Sequence, residues 1–226
     1  MTNNDLSRAQ CPRRQPWQAR VTLFAAPVPD FTQALSPAFF ERDPVIVARE
    51  LLGCLIVRVF PEGTAALRIV ETEGYDCPRD PSCHVIERLP GASEALHGPP
   101  GRYYFHKSYE HTLLNVVCMP VGHDATILVR AAEVLSGAEL LQAHRPVKRD
   151  LELSNGPAKL VQALGISPEL AGLSVVHPAC YFAPGEPVPP ERVSVTARVG
   201  LKRGAELPWR FLETGNPWVS PGKPSA

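Results

Sequence analysis

The sequence predicts a single mixed α/β (α+β) domain built around a curved antiparallel β-sheet with surrounding helices. Three observations predict it. Strand-length runs of β-branched and apolar residues recur along the chain, apolar stripes at helical spacing interrupt them, and the first two runs are joined by a tight hairpin turn. A chain of 226 residues suits one core rather than two.

Taken in order, residues 1–35 mix polar side chains with Pro12, Pro16, Pro27 and Pro29 and hold no sustained period, which predicts a disordered arm. The domain, residues 36–220, takes shape near Phe39. Asp43 is a natural N-cap with Pro44 at the first helical position. Val45, Val47, Ala48, Leu51 and Leu52 then form a helical stripe that Gly53 ends. Leu55–Phe60 and Leu67–Tyr75 read as strands paired across a Pro61-Glu62-Gly63 turn. Residues 76–101 are rich in Pro, Gly and Ser and predict a long functional loop. Strands follow at Tyr103–His106, Leu113–Cys118 and Ala125–Ala131. A helix opens at Ser136 with Leu140 and Leu141 on one side. Another follows Asn155-Gly156-Pro157, with Leu160, Val161 and Leu164 as its apolar face and Gly165 as its stop. Val193–Leu201 reads as the final strand, the chain beyond Gly215 is Pro-rich and predicts fraying, and residues 221–226 are set apart as a flexible tail.

With 44% hydrophobic and 20% charged residues the composition is that of a folded globule. No run reaches the length of a membrane span, and no membrane partner is expected. The first residues carry Asp5, Arg8, Arg13 and Arg14 without the apolar stretch of a signal peptide. The expected location is therefore the cytoplasm, near the nucleoid, in a bacterium, or the nucleus in a eukaryote. The six cysteines contain no C-x-x-C pair and read as free thiols, and Cys77, Cys83 and His84 match no common zinc spacing. The formal net charge is zero, so a nucleic-acid partner would require the basic groups to gather on one face. Arg102, Lys107, Arg145, Lys148, Arg149, Lys159, Lys202 and Arg203 are the candidates; the alternative is ordinary solvated charge.

The stretch Arg68-Ile69-Val70-Glu71-Thr72-Glu73-Gly74-Tyr75 is the most informative. Alternation along a strand puts Glu71, Glu73 and Tyr75 on one side. Two carboxylates beside an aromatic ring are a poor way to build a core, which leaves a solvated strand face or a reaction centre. A carboxylate at such a strand end can stabilise an oxocarbenium-like cation and deprotonate an attacking water. Tyr103-Tyr104-Phe105-His106-Lys107-Ser108-Tyr109 interleaves aromatics with a cation, as a stacking surface for a flat base requires, although alternate residues must face the core. Asn115, inside an apolar strand, and Arg130, ending another, each need a buried partner or a site to serve.

Several strings in fixed order resemble the alkyladenine (3-methyladenine, methylpurine) DNA glycosylase family over about residues 39–220. They include Ala38-Phe39-Phe40, Ala48-Arg49-Glu50-Leu51-Leu52-Gly53, the Arg68–Tyr75 stretch and Gly98-Pro99-Pro100-Gly101. They continue with Leu114-Asn115-Val116-Val117, Val129-Arg130-Ala131, Asn155-Gly156-Pro157-Ala158-Lys159-Leu160, Arg198-Val199-Gly200 and Gly215-Asn216-Pro217-Trp218-Val219-Ser220. The resemblance implies a monofunctional enzyme that flips an alkylated or deaminated purine from damaged double-stranded DNA and hydrolyses its N-glycosidic bond. It would act as a monomer, without metal or cofactor. It implies that Glu73 is the general base, with Arg130 and the carbonyl of Val199 also holding the water. Tyr75 and His106 would stack on the base, His84 would contact its edge, and Asn115 would exclude guanine by crowding its amino group. Tyr109 would intercalate in the duplex. Among the basic candidates, Arg102, Lys107 and Lys159 are the residues expected to bind phosphate.

The chain also departs from the family pattern. Counted forward from Gly98-Pro99-Pro100-Gly101, His106 stands at a stacking tyrosine and Tyr109 at the wedge. Counted back from Asn115, Phe105 and Ser108 take those places. The forward register is preferred because a wedge needs an apolar side chain. Gly91-Ala92-Ser93-Glu94-Ala95 replaces a basic loop segment. With altered stacking residues, a lesion-binding protein of weak catalysis is the alternative function. A metal held by Glu71, Glu73, Cys83 and His84 for phosphodiester cleavage is a third.

Overall fold

The computed structural model describes residues 34–83, 92–108, 110–166 and 168–225, and shows the expected class: one domain in which short helices pack on a curled, nine-stranded, wholly antiparallel sheet. The expected arm, residues 1–35, lies outside the described residues except for its last two. Among the described residues no helix is long and apolar enough to cross a membrane.

Two short helices come first, α1 (Pro37–Phe40) and α2 (Pro44–Glu50). The Asp43 side chain caps α2 by accepting from the Val45 amide at 2.8 Å. The hairpin of β1 (Leu55–Phe60) and β2 (Gly63–Asp76) follows, its register running from Leu55 opposite Arg68 to Phe60 opposite Gly63. After α3 (Ala92–Leu96), a second hairpin joins β3 (Tyr103–Ser108) to β4 (His111–Cys118). Then come β5 (Ala125–Ser136), α4 (Ala138–His144) and α5 (Pro157–Ala163). Four short strands complete the sheet: β6 (Val176–His177), β7 (Cys180–Ala183), β8 (Val193–Thr196) and β9 (Arg210–Glu213).

Strand β2 organises everything else. One of its edges is paired with β5 for nearly its whole length. The other is paired first with β1 and then, at Glu71–Glu73, with β9. Both edges of the carboxylate-bearing segment are therefore covered, and a strand covered on both edges is sealed from solvent unless a face opens.

An irregularity in the pairing with β5, one shift between Ile69 and Glu71 and an opposing one between Glu71 and Thr72, decides which face the carboxylates take. Before it, Ala65, Leu67 and Ile69 point into the main core. After it, the residues opposite Thr72 and Gly74, namely Val129, Phe211 and Ile127, belong to that core. Directly opposed residues share a face, so the phase has shifted by one residue. Glu71, Glu73 and Tyr75 are turned away from the core at this irregularity, a common use of bulges. On the core side α2 presses against β2: the Thr72 hydroxyl donates to the Ala48 carbonyl at 2.6 Å, and a Cβ on Gly74 would lie 3.1 Å from the Pro44 carbonyl oxygen. Gly74 is small because a helix backbone lies against it.

The sequence reading fails at several ends. Ser136 does not open a helix; it closes β5, and Gly137, at φ 72°, turns the chain into α4. The strand expected over Val193–Leu201 stops at Thr196, because Arg198 leaves the sheet to bury its guanidinium. Strands β6, β7 and β9 were not anticipated. Residues 221–225, expected to fray, instead return to the domain: Pro224 bridges Val199, and the Ser225 amide donates to the Arg198 carbonyl at 2.8 Å. Cys54, Cys77, Cys83, Cys118 and Cys180 are free thiols, as expected.

Candidate active site

The rows of the sheet assemble the site. Tyr104 pairs with Asn115, Asn115 with Leu128, Leu128 with Glu73, and Glu73 with Arg210, so one cross-strand row spans five strands on the face opposite the main core. Tyr75 and Thr126 form the next row, and Arg130 follows Leu128 by two on the same face.

Glu73 is fully buried, which excludes the solvated-strand alternative. Its carboxylate accepts a hydrogen bond from the Tyr75 hydroxyl at 2.7 Å and another from the Val199 amide at 2.8 Å, and Arg130 Nη1 lies 3.4 Å away. Arg130, its one ion-pair partner among the described residues, is shared with a second carboxylate. Burial first, and then the Glu73 charge, hold the Tyr75 phenol well above its ordinary pKa, so Tyr75 remains a donor. Burial pulls against the charge on Arg130, but the carboxylates of Glu73 and Glu71 outweigh it and the pKa is raised.

Glu71, two residues earlier, is equally buried but saturated. Its oxygens accept from Arg130 Nε at 2.7 Å, Arg210 Nε at 2.8 Å, the Ser220 amide at 2.7 Å and the Ser220 hydroxyl at 3.0 Å. Arg130 thus ties the two carboxylates together.

A second buried ion pair fixes the aromatic ring. Arg198 forks onto Asp80, with Nη2 to Oδ1 at 2.9 Å and Nη1 to Oδ2, and also donates to the carbonyls of Gly74 at 3.0 Å and Gly204 at 3.2 Å. Its guanidinium carbon lies 4.5 Å from the centre of the Tyr75 ring and 5.3 Å from that of Trp209. Burial opposes ionisation of Asp80, but the Arg198 hydrogen bond wins and its carboxyl is held below the ordinary aspartate range. One guanidinium therefore anchors the loop after β2 and backs the ring of Tyr75.

Above Glu73 opens a cavity of about 960 Å³. Tyr75, Arg130 and Val199, the three contacts of Glu73, are part of its wall, with Asn115 and Leu128 beside them. Asn115 is buried and donates to the Leu113 carbonyl at 3.2 Å. The charged residues lining the cavity are Lys107, Arg130, Arg145 and Lys159, and no carboxylate is among the described lining residues. Four cations of a chain of zero net charge meet at this cavity, a local basic face of the kind that a polyanionic partner requires.

The structure brings Tyr75, His106, Asn115, Arg130, Val199, Lys107 and Lys159 to one cavity, with Glu73 buried behind the wall and hydrogen-bonded to Tyr75 and Val199. Val199 meets Glu73 through its backbone amide. Arg102 is not in the lining: its guanidinium donates to the Gly172 carbonyl at 3.0 Å. His84 and Tyr109 lie outside the described residues. His106 and Ser108 line the cavity, whereas Phe105 packs on the main core, stacked on Tyr103 at 6.2 Å. Arg210, Ser220, Asp80 and the guanidinium of Arg198 were missed as parts of the site. Arg198 and Ser220 stood inside quoted strings, but nothing local marked which carboxylate each would meet.

Comparison with known proteins gives the family. A family described as "Methylpurine-DNA glycosylase (MPG)" matches residues 38–217. A protein of Gloeobacter violaceus is 45% identical over 188 residues, covering 83% of this chain and 87% of its own. One of Deinococcus radiodurans is 46% identical over 182 residues, covering 79% and 96%. One of Methanoculleus marisnigri is 42% identical over 190 residues, covering 82% and 98%. All three carry the name "Putative 3-methyladenine DNA glycosylase".

Proposed function

The chain belongs to the methylpurine-DNA glycosylase family and is a DNA glycosylase, and from that premise we propose that it takes a damaged purine, rotated out of double-stranded DNA, into the cavity above Glu73 and hydrolyses the N-glycosidic bond with water. The observation that carries this reading is the state of Glu73: a buried carboxylate whose one ion-pair partner among the described residues, Arg130, is shared with Glu71, beside a cavity lined by Lys107, Arg130, Arg145 and Lys159.

In the proposed step the bond from C1′ to the purine nitrogen breaks and its electron pair leaves with the base. Water oxygen bonds to C1′, and the water proton passes to Glu73. Glu73 also balances the positive charge that grows on the sugar. A cationic N-alkylated purine departs as a neutral molecule, so one carboxylate suffices for it. A neutral purine such as hypoxanthine must gain a proton to leave. Arg130 and the Val199 amide fix the carboxylate, Tyr75 offers its ring, backed by Arg198, to the flat base, and Asn115 presents a polar edge that selects among purines. Lys107, Lys159 and Arg145 supply phosphate contacts at the rim.

The test is the unmodified protein on duplexes carrying 3-methyladenine, 7-methylguanine, hypoxanthine or ethenoadenine. Free base is expected from at least one of them, with an uncut backbone that breaks only on later alkaline treatment. Binding without base release would favour a lesion-binding protein, and direct strand cleavage would overturn the water mechanism.

A further inference from the structure

The β3 side of the cavity carries a titratable ring that the proposed step does not use. His106 lies two residues from Tyr104 on the same face of β3, ring centres 6.4 Å apart and tilted by 44°, and it lines the cavity. Its Nδ1 is buried and has no hydrogen-bond partner among the described residues.

The surroundings of this ring are one-sided in charge. Its own strand contributes Lys107 and Tyr104, and β4 contributes His111. Arg130 comes from β5, Arg145 from the end of α4, Lys159 from α5, and Cys83 from the loop after β2. Helix α3, which packs against β3, carries Glu94, exposed and outside the lining. No carboxylate among the described residues lines the cavity to neutralise an imidazolium, and the buried carboxylates of Glu71, Glu73 and Asp80 are engaged by Arg130, Arg210 and Arg198. Burial holds the imidazole pKa below its ordinary value. The ring is therefore neutral at neutral pH, and a proton added in acid finds no partner.

We propose that His106 sorts damaged purines by charge: its neutral ring admits a cationic N-alkylated purine, whereas its protonated ring repels that cation and still admits a neutral purine such as hypoxanthine. The inference rests on the glycosylase reading. Two unit charges at ring-contact distance in a partly desolvated cavity repel strongly enough to change occupancy by about tenfold or more. The tyrosine that the family resemblance puts at this position does not titrate in this range.

The experiment follows single-turnover release of 3-methyladenine and of hypoxanthine from otherwise identical duplexes, between pH 5 and pH 8, for the unmodified protein, His106→Tyr and His106→Gln. The quantity read is the ratio of the two rates. Acid help to the neutral base acts in all three proteins and cancels in the comparison. Between pH 7.5 and pH 5 the ratio for the unmodified protein is expected to fall about tenfold further than in either variant. An identical course in all three overturns the proposal. Release of neither base at any pH overturns the glycosylase reading instead.

A second measurement does not depend on the His106 variants folding. By linkage, the ring that repels the cation must itself be harder to protonate beside it. In complexes of Glu73→Gln with uncleaved lesion DNA, the His106 Cε1–H resonance should titrate about one pH unit lower with 3-methyladenine than with hypoxanthine. Equal titrations overturn the proposal.

Discussion

Glu71 and Glu73 stand two residues apart on one strand, share one face and are both sealed from solvent, yet their surroundings are opposites. Around Glu71 two guanidiniums and both donors of Ser220 meet the carboxylate. Around Glu73 there are a phenol, one amide and the far nitrogen of an arginine already committed to Glu71. The first is an ion cluster that fixes β2, β5, β9 and the C-terminal segment in place. The second is an under-neutralised anion held under a cavity. A buried charge with too few partners costs stability, and proteins keep such charges where function needs them. The difference between the two regions, rather than the presence of paired carboxylates, marks the reaction centre.

The largest expected effect tests the Glu73 half of that contrast. Glu73→Gln removes the proton acceptor while keeping shape, and base release should fall by on the order of 10⁴-fold. Lesion binding and the melting temperature should stay close to those of the unmodified protein. Undiminished release would break the comparison. Glu71→Ala should do the reverse, leaving Arg130 and Arg210 buried without their anion and costing about 3–5 kcal/mol of folding stability in chemical denaturation. A variant as stable as the parent would show that the cluster is not structural.

Asp80→Asn is expected to be milder, costing about 1.5–3 kcal/mol, because the amide keeps one acceptor for Arg198. It also tests the sign of a pH effect. Asp80 has a folded-state pKa below its unfolded value. Its contribution is therefore full above the ordinary aspartate range and is lost as pH falls through the folded value. The acid limb of the stability curve should be shallower in Asp80→Asn, and identical limbs would refute the assignment. Smallest is Tyr75→Phe, which keeps the ring and removes one donor to Glu73. Base release should drop roughly tenfold or less, about 0.5–1.5 kcal/mol, with stacking preserved. A loss as large as that of Glu73→Gln would mean that the hydroxyl itself takes part in the chemistry.

Much of this was legible before any coordinates. The helical stripe after Asp43, the Pro61-Glu62-Gly63 turn and the apolar strands are local patterns, and local patterns survive folding when their burial agrees with them. Glu73, Tyr75, Asn115 and Arg130 were singled out as residue types that an apolar strand tolerates only with a purpose. The short strands β6, β7 and β9 were invisible because two to four residues carry no usable period, and Arg102 misled because a cation in a plausible place says nothing about its own nearest carbonyl.

The sequence by itself determined that a strand would end in two carboxylates and a tyrosine beside a long loop, because alternation is a property of neighbouring residues. Only the tertiary structure decided which way they point and which of them is free to react. The irregularity after Ile69 sets the direction, and it follows from how β2 registers against β5. The partners of the two carboxylates come from far along the chain: Val199 is 126 residues from Glu73, and Ser220 is 149 residues from Glu71. Neutralisation is a sum over groups brought together in space, and no local pattern contains it.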